Sequence, residues 1–493
     1  MKKYKLFITV ACSILASSCG NDFLDVDQTG VVTEKQINDL PPSEQAKLIA
    51  PLVQGLYGHF LNYYVNRSNG EDWGLTGMFL KLDTESNDVA LNQSGAYGFD
   101  YTFQYSGAPY IRTAQHWGLF FTAINRANEA LAKLETPSSA ELKALKGQAL
   151  AIRGFSYLYL AQKYQKTYID HMDAPCVPLI LTEAEGGSRM ERVPVKEIYA
   201  QVEKDCLAAI EHLKGWTRTS KAIINEDVAR GILARAYLVM NKWQEAADMA
   251  KEARTGYSLM TMDELKSATF GDINEKEWMW GYDITANTTP MFASFASWCC
   301  SFDEGYGGAV GMYRSIDARL YDKLTANDVR KSQFVAPGTT LHVVYTKSEA
   351  DLPEYVNLKF KKVSGWLADY LYMRASEMVL IEAEAYAHLD KTDMAAKVLR
   401  ELMENRDPDW NETNVTVEDV YTQRRLELWG EGFSFFDMVR LKKPIDRVYP
   451  GSNHYPGGQM TLPAENWKFY YQIPQREIDE NESLTAADQN PLS

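Results

Sequence analysis

Apolar residues recur at helical spacing along several long stretches of this chain. Residues 142–164 carry apolar side chains at i, i+3 and i+4 positions on one face, and most of the other positions are apolar too. A helix that is apolar nearly all round is buried among other helices. Residues 115–134 repeat apolar residues at the same spacing, and residues 195–213 are amphipathic. These patterns predict a mainly α-helical protein.

Two pairs of shorter helices are predicted further along the chain. Residues 226–240 and 243–254 form one pair across a two-residue turn, and residues 372–389 and 392–406 form the other. Alanines occur throughout both pairs and allow the helices to approach closely. Pairs of this design resemble tetratricopeptide-type repeats, which are helix–turn–helix units of about 34 residues. We therefore predict a tetratricopeptide-like superhelix of helix pairs.

Two loop-rich inserts interrupt the helical pattern, near residues 66–112 and 255–371. Both are rich in aromatic residues, and Gly, Ser, Thr and Asn dominate the second. Short β-like runs such as residues 341–345 predict small sheets, and the alternation around Trp278 and Trp280 is typical of a strand with one buried face. Long loops on a rigid helical scaffold are where binding usually occurs.

The N-terminus has the pattern of a bacterial export signal. Three lysines precede an apolar run over residues 6–16, and small residues then lead to Cys19. The apolar run is too short to remain as a transmembrane helix and is typical of a secretory signal. A bacterial lipoprotein signal places a cysteine at this position, although Leu15 is one residue further upstream than usual. Cys12 is a competing candidate, but bulkier residues precede it.

We accordingly divide the chain into three parts. Residues 1–18 are predicted to be a lipoprotein signal peptide, residues 19–40 a tether acylated at Cys19, and residues 41–493 a single α-helical domain. More than one acyl chain on the cysteine provides stable membrane anchoring. The alternative is a soluble secreted protein in which this cysteine is coincidental.

The net charge limits the possible partners. The full chain carries −15 at pH 7, and removing residues 1–18, which hold three lysines and no acids, gives −18. A surface this acidic argues against nucleic acid and anionic lipid as partners. It is compatible with a neutral ligand.

Cysteine and histidine spacing indicates neither a disulfide framework nor a metal site. Four scattered cysteines remain beyond the signal and the anchor, which is too few for a chain of this size. The adjacent Cys299 and Cys300 could form a strained vicinal disulfide or remain as two buried thiols. No zinc-binding spacing is present, and we expect no metal and no cofactor.

Eight segments, in the same order, resemble the SusD/RagB family of outer-membrane nutrient-binding lipoproteins. They are residues 22–25 (DFLD) after Cys19, 85–89 (ESNDV), 151–158 (AIRGFSYL) with the exit 177–179 (VPL), 192–199 (RVPVKEIY), 374–385, 424–432 (RRLELWGEG), 436–440 (FDMVR), and 473–478 with 489–491 (QNP). No single segment is specific, but their combined order is.

This resemblance implies a place and a role for the protein. Such proteins lie at the outer membrane, facing the cell exterior, as a lid on a TonB-dependent β-barrel transporter, and they deliver oligosaccharides or peptides to it. We expect a lipid-anchored glycan-binding protein. A peptide-binding protein of the RagB type, a glycoside hydrolase and a purely structural lipoprotein are the alternatives.

The two inserts supply the residue types that sugar recognition needs, namely flat apolar rings and planar hydrogen-bonding groups. The candidate ligand-binding residues are Trp73, Tyr97, Tyr101, Asn287, Phe295, Trp298, Asp303 and Tyr306, with Phe292 and Glu304 beside them. For any one of these rings, packing within the loops is at least as good an interpretation. Trp298 is the ring for which the two interpretations balance.

Charged residues within the family-like segments are predicted to be structural. Arg153, Glu377, Glu427, Asp437 and Arg440 are expected to form buried ion pairs that fix helix register. A glycosidase would need two carboxylates facing each other across a cleft, and nothing marks out one such pair. Nucleophile elbows, HExxH sequences and phosphate-binding glycine loops are also missing from the sequence. The sequence therefore predicts a binding protein without catalytic residues.

Overall fold

The computed structural model describes most of the chain beyond the N-terminal region. The described residues are 37, 39–62, 73–186, 190–290, 292–301, 305–344, 349–361 and 364–492. The predicted anchor Cys19, most of the predicted tether, and Asp303 with Glu304 lie outside these ranges. Ile37, which falls within the predicted tether, is 7% exposed and packs in the main core.

Helices dominate the described chain. In order, they are α1 (Pro42–Asn62), α2 (Gly74–Thr84), α3 (Gly98–Tyr101), α4 (Ile111–Ala132), α5 (Ala140–Tyr164), α6 (Glu183–Gly186), α7 (Val195–Leu213), α8 (Glu226–Val239), α9 (Trp243–Ala253), α10 (Met262–Ser267), α11 (Phe295–Cys299), α12 (Tyr306–Ala309), α13 (Ala318–Tyr321), α14 (Ala375–His388), α15 (Thr392–Met403), α16 (Val417–Glu427), α17 (Ser434–Arg440) and α18 (Gln475–Glu480). The mainly α prediction is confirmed.

The strands are short and pair two at a time. They are β1 (Val89–Leu91), β2 (Pro175–Pro178), β3 (Arg192–Pro194), β4 (Trp278–Tyr282), β5 (Arg314–Ile316), β6 (Leu341–Val344), β7 (Glu349–Leu352), β8 (Tyr370–Arg374), β9 (Ile445–Asp446) and β10 (Thr461–Leu462). Antiparallel pairs join β1 to β5, β2 to β3, β4 to β8, β6 to β7 and β9 to β10.

Helix α5 lies at the centre of the scaffold, with α1, α4 and α7 packed around it. The helix begins at Ser139, whose side chain accepts a hydrogen bond from the Leu142 backbone N–H, which satisfies one of the unpaired donors of the first turn. Nearly all of its residues are buried, as the all-round apolar pattern predicts. Gly154 lets α7 approach closely, because a Cβ there would lie 3.1 Å from the Cys206 sulfur.

The two predicted helix pairs are neighbours in space. Trp243 at the start of α9 stacks on His388 at the end of α14, with ring centres 3.8 Å apart and planes 4° from parallel. Arg254, just after α9, pairs with Glu382 of α14 at 2.8 Å. The second pair begins later than predicted, because residues 370–374 form strand β8 against β4. The sequence pattern of one strand does not show the partner that holds it in place.

The two inserts pack on each other and share a second hydrophobic core. Strand β1 of the first insert pairs with β5 of the second, and Val89 lies opposite Ile316. The first insert also contains helix α2, where the sequence pattern indicated loops. This helix is buried on two sides, because Phe79 belongs to the main core and Leu80 to the second. A helix enclosed in this way has no polar face to give it an amphipathic pattern.

The expected structural ion pairs are confirmed. Arg153 binds Asp205 through both Nε and Nη2, at 2.8 and 2.7 Å, and Arg235 binds Glu377 at 2.7 Å. The other expected members also pair within the fold: Glu427 with Arg374 and Arg406, and Asp437 and Glu384 with Arg440.

The largest ion network lies where the inserts meet the scaffold. Arg374 contacts three carboxylates, those of Glu277, Glu427 and Glu431, at 2.7 to 2.9 Å. Arg406 joins Glu277 and Glu427 again, at 2.8 and 2.9 Å. Burial alone would raise the pKa of Glu427, but the two guanidinium groups hold it well below its ordinary value. The network is charged and fully paired, as buried charges must be.

Within the described ranges, no helix is both long and apolar enough to cross a membrane. Cys299 and Cys300 are buried thiols that form no disulfide, and burial raises the pKa of the Cys299 thiol to about 12. The same part of the chain contains no cluster of three or more His, Cys, Asp or Glu side chains that could hold a metal ion.

Candidate ligand-binding surface

An aromatic cluster is built around Trp298 in the second insert. Helix α11, which carries Trp298, begins at Ser294, whose hydroxyl accepts a hydrogen bond from the Ser297 N–H at 3.0 Å. Three rings meet the indole edge-on, those of Tyr306, Phe292 and Tyr97, with centres 5.3, 5.5 and 6.0 Å away. Edge-to-face packing at this spacing is the favoured arrangement of aromatic pairs.

Only two rings of the cluster face solvent. Phe292 is 39% exposed and Tyr306 is 37% exposed, whereas Trp298 is 6% exposed. The two exposed rings lie 4.6 Å apart, centre to centre, at 76° to each other. We call Phe292 and Tyr306 the first aromatic face. Trp298 lies behind them and supports them.

Glycines around Tyr306 bring this ring close to Trp298. A Cβ on Gly305 would lie 2.2 Å from the Cys300 carbonyl oxygen, and one on Gly308 would lie 2.6 Å from the Ser301 carbonyl oxygen. Any larger residue would therefore push α12 away from the segment that follows α11. The glycines around Tyr306 therefore allow close packing of the backbone, and this packing fixes the position of the ring.

A polar frame holds the buried side of the cluster. The Trp73 indole N–H donates to the Tyr97 hydroxyl at 2.9 Å, and the Arg314 guanidinium lies over the Tyr97 ring at 5.2 Å. Arg314 also donates to the Trp298 carbonyl at 2.6 Å. Asn357 donates its side-chain N–H to the Cys299 carbonyl at 2.8 Å. The buried part of the cluster, with Trp73, Tyr97 and Trp298, is therefore held by both packing and polar contacts.

Tyr101 belongs to a different, buried cluster. Its hydroxyl bonds Nδ1 of His454, and its ring stacks on that of Tyr455 at 5.6 Å. Burial lowers the pKa of His454, whose Nε2 hydrogen-bonds the Asp317 carboxylate at 3.0 Å. Burial likewise raises the pKa of Tyr101 to about 12. This chain of hydrogen bonds fastens both inserts to the C-terminal segment.

The structure thus brings together Trp73, Tyr97, Trp298 and Tyr306 of the predicted residues. Asn287 is exposed in a turn closed by the Thr289 N–H bond to the Thr285 carbonyl. Phe295 is half-buried and packs edge-on against Phe360 at 4.8 Å. Asp303 lies outside the described residues. Ligand contact by any of these residues stays a prediction, and Trp73, Tyr97 and Tyr101 are buried in this structure.

The rim of the first aromatic face is polar and uncharged where the structure describes it. Asn92 and Gln93 are exposed, and both donate side-chain N–H bonds to the Gly311 carbonyl, at 2.8 and 3.0 Å. Met312 connects this rim to α12, because its N–H donates to the Gly307 carbonyl at 2.8 Å. Rings beside amide groups can bind a ligand through stacking and neutral hydrogen bonds.

Comparisons with known proteins agree with this architecture. Residues 339–492 match the model of the SusD family, and residues 78–238 match a family described as starch-binding, associating with outer membrane. A SusD-like carbohydrate binding protein from Bacteroides vulgatus is 26% identical, with a TM-score of 0.76 over 91% of this chain and 98% of that one. The chain belongs to the SusD/RagB family.

More distant solved structures share the fold. Surface glycan-binding protein A from Bacteroides uniformis is 18% identical, with a TM-score of 0.68 over 90% of this chain and 99% of that one. A laminarin binding SusD-like protein is also 18% identical, with a TM-score of 0.65 over 91% of this chain and 99% of that one. Among curated proteins there is no match.

For this SusD/RagB protein, the two family matches leave a gap that contains much of the candidate surface. The gap between residues 238 and 339 contains Phe292, Trp298 and Tyr306, whereas Tyr97 lies within the match over residues 78–238. The family pattern therefore describes the scaffold and most of the first insert, and Phe292 and Tyr306 come from the part that the pattern does not cover.

Sequence reasoning missed the supports of the cluster. Arg314 and Asn357 are distant in sequence from Trp298, and His454 is distant from Tyr101, so no local pattern links them. One signal was available for the exposed rings, because Gly305, Gly307 and Gly308 surround Tyr306 and mark a close approach of backbone.

Proposed function

We propose that this protein binds an uncharged oligosaccharide at the first aromatic face, formed by Phe292 and Tyr306. The observation that carries the proposal is a pair of solvent-facing rings fixed in place by the buried Trp298. Rings offer flat apolar surfaces to the C–H faces of sugars, and a rigid platform loses little conformational freedom on binding.

The composition of the segments that carry the exposed rings supports a neutral ligand. Residues 82–111 and 278–313 contain no lysine, arginine or histidine. Lys361, near Cys300, directs its ammonium group to the Lys266 carbonyl. An anionic sugar would meet an acidic protein without a basic partner from these two segments.

The names of relatives agree with this ligand class. One structural relative is described as a carbohydrate binding protein, one as glycan-binding and one as laminarin binding. The proposal for this chain extends those descriptions to its own exposed rings. It also holds that the role is binding rather than catalysis.

We further propose that the protein is anchored in the outer membrane through an acylated Cys19, faces the exterior, and passes its ligand to a TonB-dependent transporter. The sequence around Cys19 supports the anchor, and the family description of association with the outer membrane supports the location. The partnership with the transporter rests on the family resemblance.

A peptide ligand is the main alternative. A peptide site is expected to be a polar groove with groups that pair with charged termini and side chains. The exposed rings and the uncharged rim of this surface fit a glycan better than a charged peptide.

The test is affinity electrophoresis of the full-length protein, purified in detergent, in gels that contain laminarin or soluble starch. We expect one of the polysaccharides to retard the protein, and we expect Phe292→Ala combined with Tyr306→Ala to abolish the retardation. Leu207→Ala, which removes an exposed apolar side chain from α7, is the matched control. Full retardation of the double variant would refute the proposed site.

A further inference from the structure

A second group of exposed rings lies in the first insert. Phe99 is 52% exposed and Tyr110 is 46% exposed, with the half-buried Tyr105 between them. The Tyr105 ring centre lies 4.8 Å from that of Phe99 and 5.2 Å from that of Tyr110. We call these three residues the second aromatic face.

A buried ion pair holds this face in place. Arg112 binds Asp100 through Nε and Nη2, at 2.8 Å each, and both side chains are fully buried. The guanidinium lies 5.2 Å from the Tyr105 ring centre and 5.9 Å from that of Tyr97. Tyr97 in turn packs against Trp298. One rigid layer therefore supports both aromatic faces.

An exposed strip connects the two faces along the surface. Residues 92–95 are all exposed. At one end, Gln93 binds the Gly311 carbonyl, and a Cβ on Gly95 would lie 3.0 Å from the Met312 methyl carbon. At the other end, a Cβ on Gly98 would lie 3.3 Å from the Ser94 hydroxyl, immediately before Phe99. The strip thus runs from the rim of the first face to the edge of the second.

The segment that forms this path carries no exposed charge, in a protein that is otherwise strongly acidic. Between residues 89 and 111 the only charged residue is Asp100, which is buried against Arg112. The exposed groups are rings, amides and hydroxyls, which match the C–H faces and hydroxyl groups of sugars.

We propose that the second aromatic face is a distal contact for the same uncharged oligosaccharide that binds the first aromatic face. This inference rests on the proposed function and extends it to the length of the oligosaccharide that the protein prefers. A short oligosaccharide contacts the first face alone. A longer chain follows the strip and stacks on the second face, and it therefore binds more tightly.

The test compares short and long probes by isothermal titration calorimetry on the full-length protein. The probes are laminaritriose and laminariheptaose, and maltotriose and maltoheptaose. The variant Phe99→Ala with Tyr110→Ala removes the distal rings, Tyr110→Phe keeps the ring but removes the hydroxyl, and Leu207→Ala is the control for loss of an exposed apolar side chain.

We expect the double variant to bind the heptasaccharide about tenfold more weakly, a typical effect of losing aromatic contacts at a binding surface. Its affinity for the trisaccharide should be unchanged. Tyr110→Phe should bind nearly as the wild type does. Tyr306→Ala should lower the affinity for both the trisaccharide and the heptasaccharide.

Two results would overturn the distal contact while the proposed function stands. In one, the double variant binds the heptasaccharide unchanged while Tyr306→Ala weakens it. In the other, the double variant binds glycan unchanged but no longer co-purifies with the transporter, which would make the second face a protein interface. If no probe binds the wild-type protein, both proposals fall.

Discussion

The Trp298 and Tyr306 rings meet edge to face with centres 5.3 Å apart, and only Tyr306 is open to solvent. The residue with the larger ring is therefore a support, and the smaller ring is a contact surface. This division separates stability from binding within one cluster, and it makes the two residues experimentally distinguishable.

Substitutions at the two positions should have different effects. Tyr306→Ala should weaken glycan binding by about 1–3 kcal/mol, the usual cost of truncating an aromatic contact, and leave the free energy of unfolding nearly unchanged. Trp298→Ala should lower both, because it removes a buried ring worth about 3–5 kcal/mol. Calorimetry and urea unfolding measure the two quantities. Equal stability losses in both variants would contradict the division.

The absence of lysine, arginine and histidine from residues 82–111 and 278–313 predicts selectivity against anionic glycans. Laminarin and sulfated laminarin form a matched pair of probes, and the sulfated form should bind at least about tenfold more weakly because the protein is acidic. Added salt should reduce the difference by screening the repulsion. Equal affinity for both forms at low salt would show that the bound sugar meets a cation.

Loss of Arg374 should be strongly destabilising. Arg374→Ala would leave Glu277, Glu427 and Glu431 without one of their main partners, and breaking a buried pair costs about 3–5 kcal/mol. The control is Arg476→Ala, which breaks an exposed pair with Glu480 on α18 and should cause no measurable change. Urea unfolding distinguishes them, and similar midpoints would argue against the network as a structural element.

Acidic pH should destabilise the protein partly through His59. Burial lowers the pKa of His59 to about 4 from 6.5, against the effect of its hydrogen bond to the Leu119 carbonyl. His59 is therefore protonated below pH 6.5 in the unfolded chain, but only below about pH 4 in the folded protein. The contribution of His59 to the free energy of unfolding is fully present above pH 6.5. It is lost as the pH falls through this window, and it amounts to about 3 kcal/mol.

The matching variant is His59→Gln, whose amide can still donate to Leu119. Its free energy of unfolding should fall less between pH 7.5 and pH 4.5 than that of the wild type. His116, whose pKa burial lowers to about 3, keeps part of the slope in both proteins. Parallel pH profiles would show that His59 does not carry this dependence.

The anchor can be tested separately from the ligand. Cys19→Ala should move the protein from the membrane fraction to the soluble fraction, because it removes the proposed acyl anchor. Cys12→Ala is the control and should leave the protein in the membrane. Membrane recovery of the Cys19 variant would show that another element holds it there.

Local pattern was sufficient for most of the scaffold. The boundaries of α7 and the α8–α9 pair follow the apolar spacing closely, because each helix buries one stripe or its whole surface. The local pattern did not predict α2, which has no polar face. It also did not predict β8, whose identity as a strand depends on pairing with β4.

The sequence by itself determined the helical class and the family, and it predicts an export signal before Cys19 and a ligand site in the two aromatic inserts. Only the tertiary structure decided which rings are exposed. Tyr97, Trp298 and Tyr306 look equivalent in sequence, but contacts from distant residues such as Arg314 bury the first two and leave the third at the surface. Exposure depends on the whole fold, whereas helix periodicity depends on near neighbours along the chain.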